Sequence, residues 1–198
     1  MQRTAFNSNA VQLCLCCGFC QRAGTKSVAQ TRPHGIVMFS GSVSVDVQQN
    51  CASNFPKRCR VRKYEDWYKV GPYCVKYFNT SCSFPDAEFA CREKATGGHL
   101  VSVHDEQANS DVNCIVMKYN YSSPRIWLGG MELFQSKKFI WTDGSVWDFK
   151  KWVPGQPDNT NNTEDCVEMN WKNLGSWNDD RCAVKKTFIC SFKPGGRV

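Results

Sequence analysis

The alternation of apolar and polar positions is legible only over the C-terminal two-thirds of the chain. Tyr73 to Phe78 predicts a strand. Phe84-Pro85-Asp86-Ala87-Glu88-Phe89-Ala90-Cys91 opens a helix, with Pro85 in its first turn and acids at its positive end. Gly97-Gly98 stops it. Asp105 to Lys118 predicts a second helix. Ile126-Trp127-Leu128 and Phe139-Ile140-Trp141 are short buried strands. Cys166 to Trp171 alternates and Thr187 to Phe192 is mostly apolar, so both predict strands. Residues 142–164 carry Asp, Gly, Pro, Asn and Thr with little periodicity, which marks a long functional loop. The outcome is an α+β domain without internal repeats.

Residues 21–58 show no helical period and read as linker. The apolar stretch Ala10 to Cys20 is shorter than the roughly 20 residues that span a bilayer. It has the length of a signal-peptide core and follows Arg3. Three readings stay open: a signal peptide, a cysteine-rich membrane-proximal tail, or sequence absent from the mature protein. Cys16-Cys17 and Cys20 lack the His partner and second cysteine pair that a metal site needs.

With 198 residues, 41% hydrophobic residues and seven Trp, the chain has room for one ordinary domain with a sizeable core plus a tail. The net charge of +7 is uneven. Residues 1–58 hold six Lys/Arg and one acid (+5), whereas residues 59–198 hold nineteen and seventeen (+2). Lys137-Lys138, Lys150-Lys151 and Lys185-Lys186 therefore read as solvated surface rather than a nucleic-acid track. Of thirteen cysteines, five precede residue 58 and eight follow it. The odd five fit removal of that segment or pairing with another chain. The even eight, with sequons at Asn79, Asn120 and Asn161, point to an oxidising secretory compartment.

Chemistry concentrates near the C-terminus. Gln156, Asp158, Glu164, Asn178 and Asp179 can form one cage of oxygens, three carboxylates and two amides, for a hard divalent cation. Calcium takes about 6–8 oxygen ligands, so room remains for two hydroxyls of an outside ligand. The set offers no His or thiolate, which makes zinc and copper poor candidates. Trp177, beside Asn178, reads as core packing.

In order along the chain stand an opening hairpin (Trp67 to Phe78), Cys91, Gly98-His99-Leu100-Val101-Ser102, Ile126-Trp127-Leu128-Gly129-Gly130 and Trp141-Thr142-Asp143-Gly144. Gln156-Pro157-Asp158, Glu164-Asp165-Cys166, Trp177-Asn178-Asp179, Cys182 and Cys190 follow. This order resembles the C-type lectin domain over roughly two-thirds of the chain. The resemblance implies a lectin fold over residues 59–193, a leader or linker before it and a short tail at 194–198. It implies disulfides Cys91–Cys190 and Cys166–Cys182, with Cys59–Cys74 closing the hairpin as in long-form members; Cys82 and Cys114 are left to each other by elimination. It also implies a cis peptide before Pro157 and calcium as cofactor.

In the family, two adjacent sugar hydroxyls coordinate the calcium and hydrogen-bond to its protein ligands. Gln-Pro-Asp resembles the galactose-type pattern, so galactose or N-acetylgalactosamine in extracellular glycan recognition or innate defence is expected. Galactose-type members often place a stacking Trp just after the motif; here Asn159-Thr160 stands there, and Trp171 on the neighbouring strand is a candidate substitute that reads rather as structural. A second calcium site would use Glu132, Ser136, Asn159 and Asp165, but Ser136 replaces the usual carboxylate and none is assigned. Two alternatives use the same domain: a calcium-dependent ice-binding protein of type II antifreeze kind, presenting Thr160-Asn161-Asn162-Thr163, or a protein-binding lectin-like module. An enzyme is not expected, since the domain leaves no obvious nucleophilic Cys beside His99 or His104. Expected partners are glycans ending in galactose-type sugars, without nucleic acid, with homo-oligomerisation open.

Overall fold

The computed structural model describes residues 50–195; the leader and most of the linker read from sequence lie outside the described residues. The strands are β1 (Tyr68–Val70), β2 (Tyr73–Cys82), β3 (His99–Leu100), β4 (Ile126–Glu132), β5 (Phe139–Trp141), β6 (Cys166–Met169), β7 (Trp177–Asp180) and β8 (Lys186–Phe192). Helix α1 (Phe84–Lys94) follows β2 and α2 (Glu106–Tyr119) follows β3. The strands form one sheet in the order β1-β2-β8-β4-β6-β7, with β3 on β8 and β5 on β4. Among these strands, only β4 and β8 pair in parallel.

Both helices begin where a side chain caps them. Ser83 accepts from the Asp86 N–H and Asp105 from the Ala108 N–H. Helix α1 ends at Lys94, and Gly97 turns the chain at φ +68°. A Cβ on Gly98 would lie 2.3 Å from the Cys91 carbonyl oxygen, so only glycine fits there.

The sheet separates two cores because successive strand residues face opposite sides. On β4, Ile126 and Leu128 join one core while Trp127 joins the other; on β8, Ile189 and Phe188 divide likewise. Helix α2 closes the first core with Val112, Ile115 and Val116, spaced along one helical face. Helix α1 closes the second with Phe84, Ala87 and Cys91. All four residues of β6 are buried, so its alternating sequence sits in a covered strand instead of a half-solvated one.

Four disulfides cross the described residues. Cys59–Cys74, Cys91–Cys190 and Cys166–Cys182 are the three pairs the resemblance implies. The fourth corrects the elimination argument: Cys114 pairs with Cys51, and Cys82 is bonded elsewhere. The error came from treating residue 58 as the edge of the domain. Residues 50–53 are helical, and Phe55 packs edge-on to Tyr68 with ring centroids 5.0 Å apart. Bridges of this kind each stabilise by about 2–4 kcal/mol, chiefly by restricting the unfolded chain.

Lys186 also departs from its surface reading. It is 5% exposed and paired with Glu168 and Asp180. A buried cation is tolerated because two carboxylates meet it.

Candidate calcium and carbohydrate site

The long loop is fixed before it reaches the site. Trp147 packs on Trp141 with centroids 4.3 Å apart, and Trp152 meets Trp177 edge-on at 5.9 Å. Trp177 is fully buried and donates its indole N–H to Asn109 at 2.8 Å, as core packing requires. Beyond these anchors the Gln156–Pro157 peptide is cis. Asn159, Asn161 and Asn162 take left-handed backbone angles, which asparagine tolerates better than most side chains.

The five expected residues converge from two sources. Gln156, Asp158 and Glu164 come from the loop; Asn178 and Asp179 come from β7. One carboxylate oxygen each from Asp158, Glu164 and Asp179 lie within 4.8 Å of one another. Gln156, Asp158, Glu164 and Asn178 line a cavity of about 370 Å³. Asp179, 1% exposed, accepts from the backbone N–H groups of Asp158 (3.2 Å) and Asn159 (2.8 Å). Gln156 donates to Asp158 at 3.1 Å and accepts from the Asp158 N–H at 3.0 Å.

Asn178 is oriented by its neighbours. The β6–β7 register sets Glu168 directly across from it. Its amide NH2 donates to Glu168 Oε1 at 2.9 Å and to the Asp179 carbonyl. The amide oxygen is left buried with no hydrogen-bond partner. Such an orphaned acceptor costs about 1–3 kcal/mol unless something fills its lone pairs.

The acids respond to this crowding. Burial pushes the Glu164 carboxyl above its ordinary range; a hydrogen bond from the Thr160 N–H pulls it down, and the charges of Asp179, Asp180 and Asp158 push it further up. Burial likewise raises Asp179, against backbone bonds from Asn159 and Asp158. Asp158, on the open rim, is lowered, first by the Thr160 hydroxyl and also by the Gln156 amide. Two inner carboxylates are therefore short of positive partners. A divalent cation would supply that charge, and Asn178 Oδ1 would give it a neutral ligand. The donor set fits calcium.

At the positions considered for a second site, Glu132 accepts from the Lys137 N–H and the Asn159 amide, the latter at 3.1 Å. These bonds give Glu132 internal partners where a cation ligand would need free oxygens. The three sequon asparagines differ in setting. Asn79 and Asn161 are exposed, whereas Asn120 is half-buried and accepts from Ser122.

The structure brings further residues to the cavity, one of them weighed in the sequence as a stacking substitute. Trp171, read as structural, lines the cavity and is half-buried; Lys172 lies over its ring at 3.9 Å. Thr160, Arg125, Asp180, Arg181 and Val184 complete the lining. Arg125 enters from the start of β4, so no local motif signals it. Asp180 and Arg181 directly follow Asn178-Asp179, and that adjacency was the available signal.

Residues 80–192 match the Lectin C-type domain family. The chain is 40% identical to a lectin of Pleurodeles waltl over 117 residues, 59% of this chain and 68% of the relative. It is 30% identical to the galactose-specific lectin nattectin of Thalassophryne nattereri over 149 residues, 75% of this chain and 87% of the relative. The solved C-type lectin CEL-I of Cucumaria echinata superposes with a TM-score of 0.62 at 30% identity, covering 67% of this chain and 97% of that one. This chain belongs to the C-type lectin domain family, whose members are non-enzymatic carbohydrate-binding proteins.

Proposed function

We propose that this chain binds calcium through Gln156, Asp158, Glu164, Asn178 and Asp179, and there holds a galactose-type sugar by two adjacent hydroxyls. The buried, unpartnered oxygen of Asn178 beside three converging carboxylates carries the reading. Bound calcium would polarise the sugar hydroxyls and orient them. Carboxylate oxygens then accept from those hydroxyls, and the Gln156 amide keeps one N–H to donate, both Asn178 donors being held by Glu168 and the Asp179 carbonyl. The Gln156-then-Asp158 order favours galactose or N-acetylgalactosamine by family resemblance, and nattectin, a relative, is named galactose-specific. One such open site holds a monosaccharide near the millimolar range, about −4 kcal/mol, so useful avidity comes from several sites or a branched glycan. The sequons and the disulfides support an extracellular setting, and among the described residues no helix is long and apolar enough to cross a membrane.

The test is a glycan array with the full chain in millimolar calcium and again in EDTA. Calcium-dependent signal on terminal galactose or N-acetylgalactosamine is expected. Asp158→Ala should remove it, by about 100-fold or more, as loss of a direct metal ligand does. Signal that survives EDTA sinks the reading. Calcium binding without any sugar signal, accompanied by thermal hysteresis, points to ice binding.

A further inference from the structure

The cavity beside the cage is not uniformly acidic. Arg125 and Arg181 both line it, as does Trp171, whose ring lies under the Lys172 ammonium. The two arginines differ in their partners. Arg125 is satisfied by Glu168 at 2.6 Å and by Asp180 at 2.8 Å. Asp180 does not pair with the Arg181 side chain. One of its oxygens takes Arg125 and Lys186, and the other accepts the backbone N–H of Arg181 itself at 2.8 Å. The exposed Arg181 guanidinium forms no ion pair among the described residues. Lys172 also lacks one, its ammonium lying over the Trp171 ring.

Charge balance sharpens this. Glu168 and Asp180 offset Arg125 and Lys186. The cage carboxylates Asp158, Glu164 and Asp179 exceed one divalent cation by a single negative charge. Arg181, which lines the cavity, and Lys172 are cations beside it that pair with no carboxylate among the described residues. A neutral sugar leaves the Arg181 guanidinium without a counter-charge.

We propose that the sugar taken here carries an oxyanion, as a sulfate ester or a carboxylate, and that Arg181 receives it. This rests on the calcium and sugar reading above. The guanidinium presents a planar fork of N–H donors that fits two oxygens of one anionic group, which a lysine ammonium cannot match. Trp171 supplies an apolar flank beside it.

The experiment measures full-chain affinity in calcium for galactose, 3-O-sulfogalactose, 6-O-sulfogalactose and α2,3-sialylgalactose. At least one acidic form should bind about three- to tenfold tighter than galactose, the range of a charge-assisted bond partly open to solvent. Sulfated and sialylated arms tell the two oxyanion sources apart. In Arg181→Gln the acidic-to-neutral ratio should fall to about one, and Arg181→Lys should restore part of it. Calcium titration of Arg181→Gln, followed by tryptophan fluorescence, should match the parent and shows that the variant is folded with its cage intact. Equal affinity for acidic and neutral galactose overturns this inference and leaves the calcium and galactose reading standing. A preference that survives in Arg181→Gln overturns it too. No calcium-dependent binding to any of the four sugars overturns both.

Discussion

Asp179 and Asp180 are neighbours on β7, both buried, and their carboxyls are pushed in opposite directions. Burial raises each. For Asp180 that effect is outweighed by the Lys186 and Arg181 N–H bonds and by the charges of Lys186 and Arg125, so it ends below the ordinary range. For Asp179 the backbone N–H bonds fall short and the Asp158 charge adds to the deficit, so it ends above. Glu88 repeats the Asp180 solution elsewhere. Burial would raise it, but the Leu100 N–H, Arg92, His99 and Thr142 bonds together hold it low. The difference separates acids that build the fold from acids held in reserve. A structural carboxylate is given enough donors inside the chain to cover its desolvation. The cage carboxylates are not, and the missing charge is what the proposed cation would bring.

The largest effect that would break this comparison lies at Glu88. Its Oε2 accepts from the Leu100 N–H at 2.9 Å and the Thr142 hydroxyl at 3.0 Å, tying α1 to β3 and to the start of the long loop. Glu88→Ala strands those donors and should cost about 3 kcal/mol in urea unfolding at neutral pH. The sign with pH follows from its depressed folded pKa. Its contribution is fully present above the unfolded carboxyl value, about 4.3, and disappears as pH falls through the lower folded one. A Glu88→Ala unfolding curve that matches the parent at pH 7 would remove Glu88 from the structural class.

A comparable effect is expected from calcium itself. At about 100 times its dissociation constant, calcium adds about 2.7 kcal/mol to the folded state, which raises Tm by roughly 5–10 °C. Scanning calorimetry with and without EDTA measures this. Asp158→Ala should abolish the increment while changing the calcium-free Tm little, because Asp158 is exposed. An increment that persists in that variant means the cation binds elsewhere.

The smallest effect tests the reserve directly. Glu164 is raised in the folded chain, so its charged form opposes folding above the unfolded carboxyl pKa, and stability returns as pH falls through the folded value. Glu164→Gln removes that opposition. Without calcium at neutral pH it should match or slightly exceed the parent in Tm; with calcium it should fall below it. A variant that loses stability equally in both buffers places Glu164 among the structural acids.

Much of this was legible in one dimension. The helices could be read because Pro85 and Gly97-Gly98 punctuate α1 by local backbone rules. The cage could be read because five oxygen-bearing residues with no competing His or Cys cluster near the C-terminus. Lys186 could not: beside Lys185 it looks like solvent-facing charge, and only the meeting of β4, β6, β7 and β8 supplies Glu168 and Asp180 to bury it. Cys114 could not either, since its partner Cys51 lies 63 residues upstream in a segment with no periodicity.

The sequence alone therefore determined the order of elements, the family and the oxygen donors on offer, because these follow from residue types and short-range spacing. Tertiary structure decided which acids are satisfied, which way the Asn178 amide points and which cation stands unpaired beside the cage. Those depend on cross-strand register and on partners 10 to 55 residues apart, such as Glu168 for Asn178 and Asp180 for Arg125. Donors and acceptors can be counted along a chain, but whether they meet is settled only when the chain is folded.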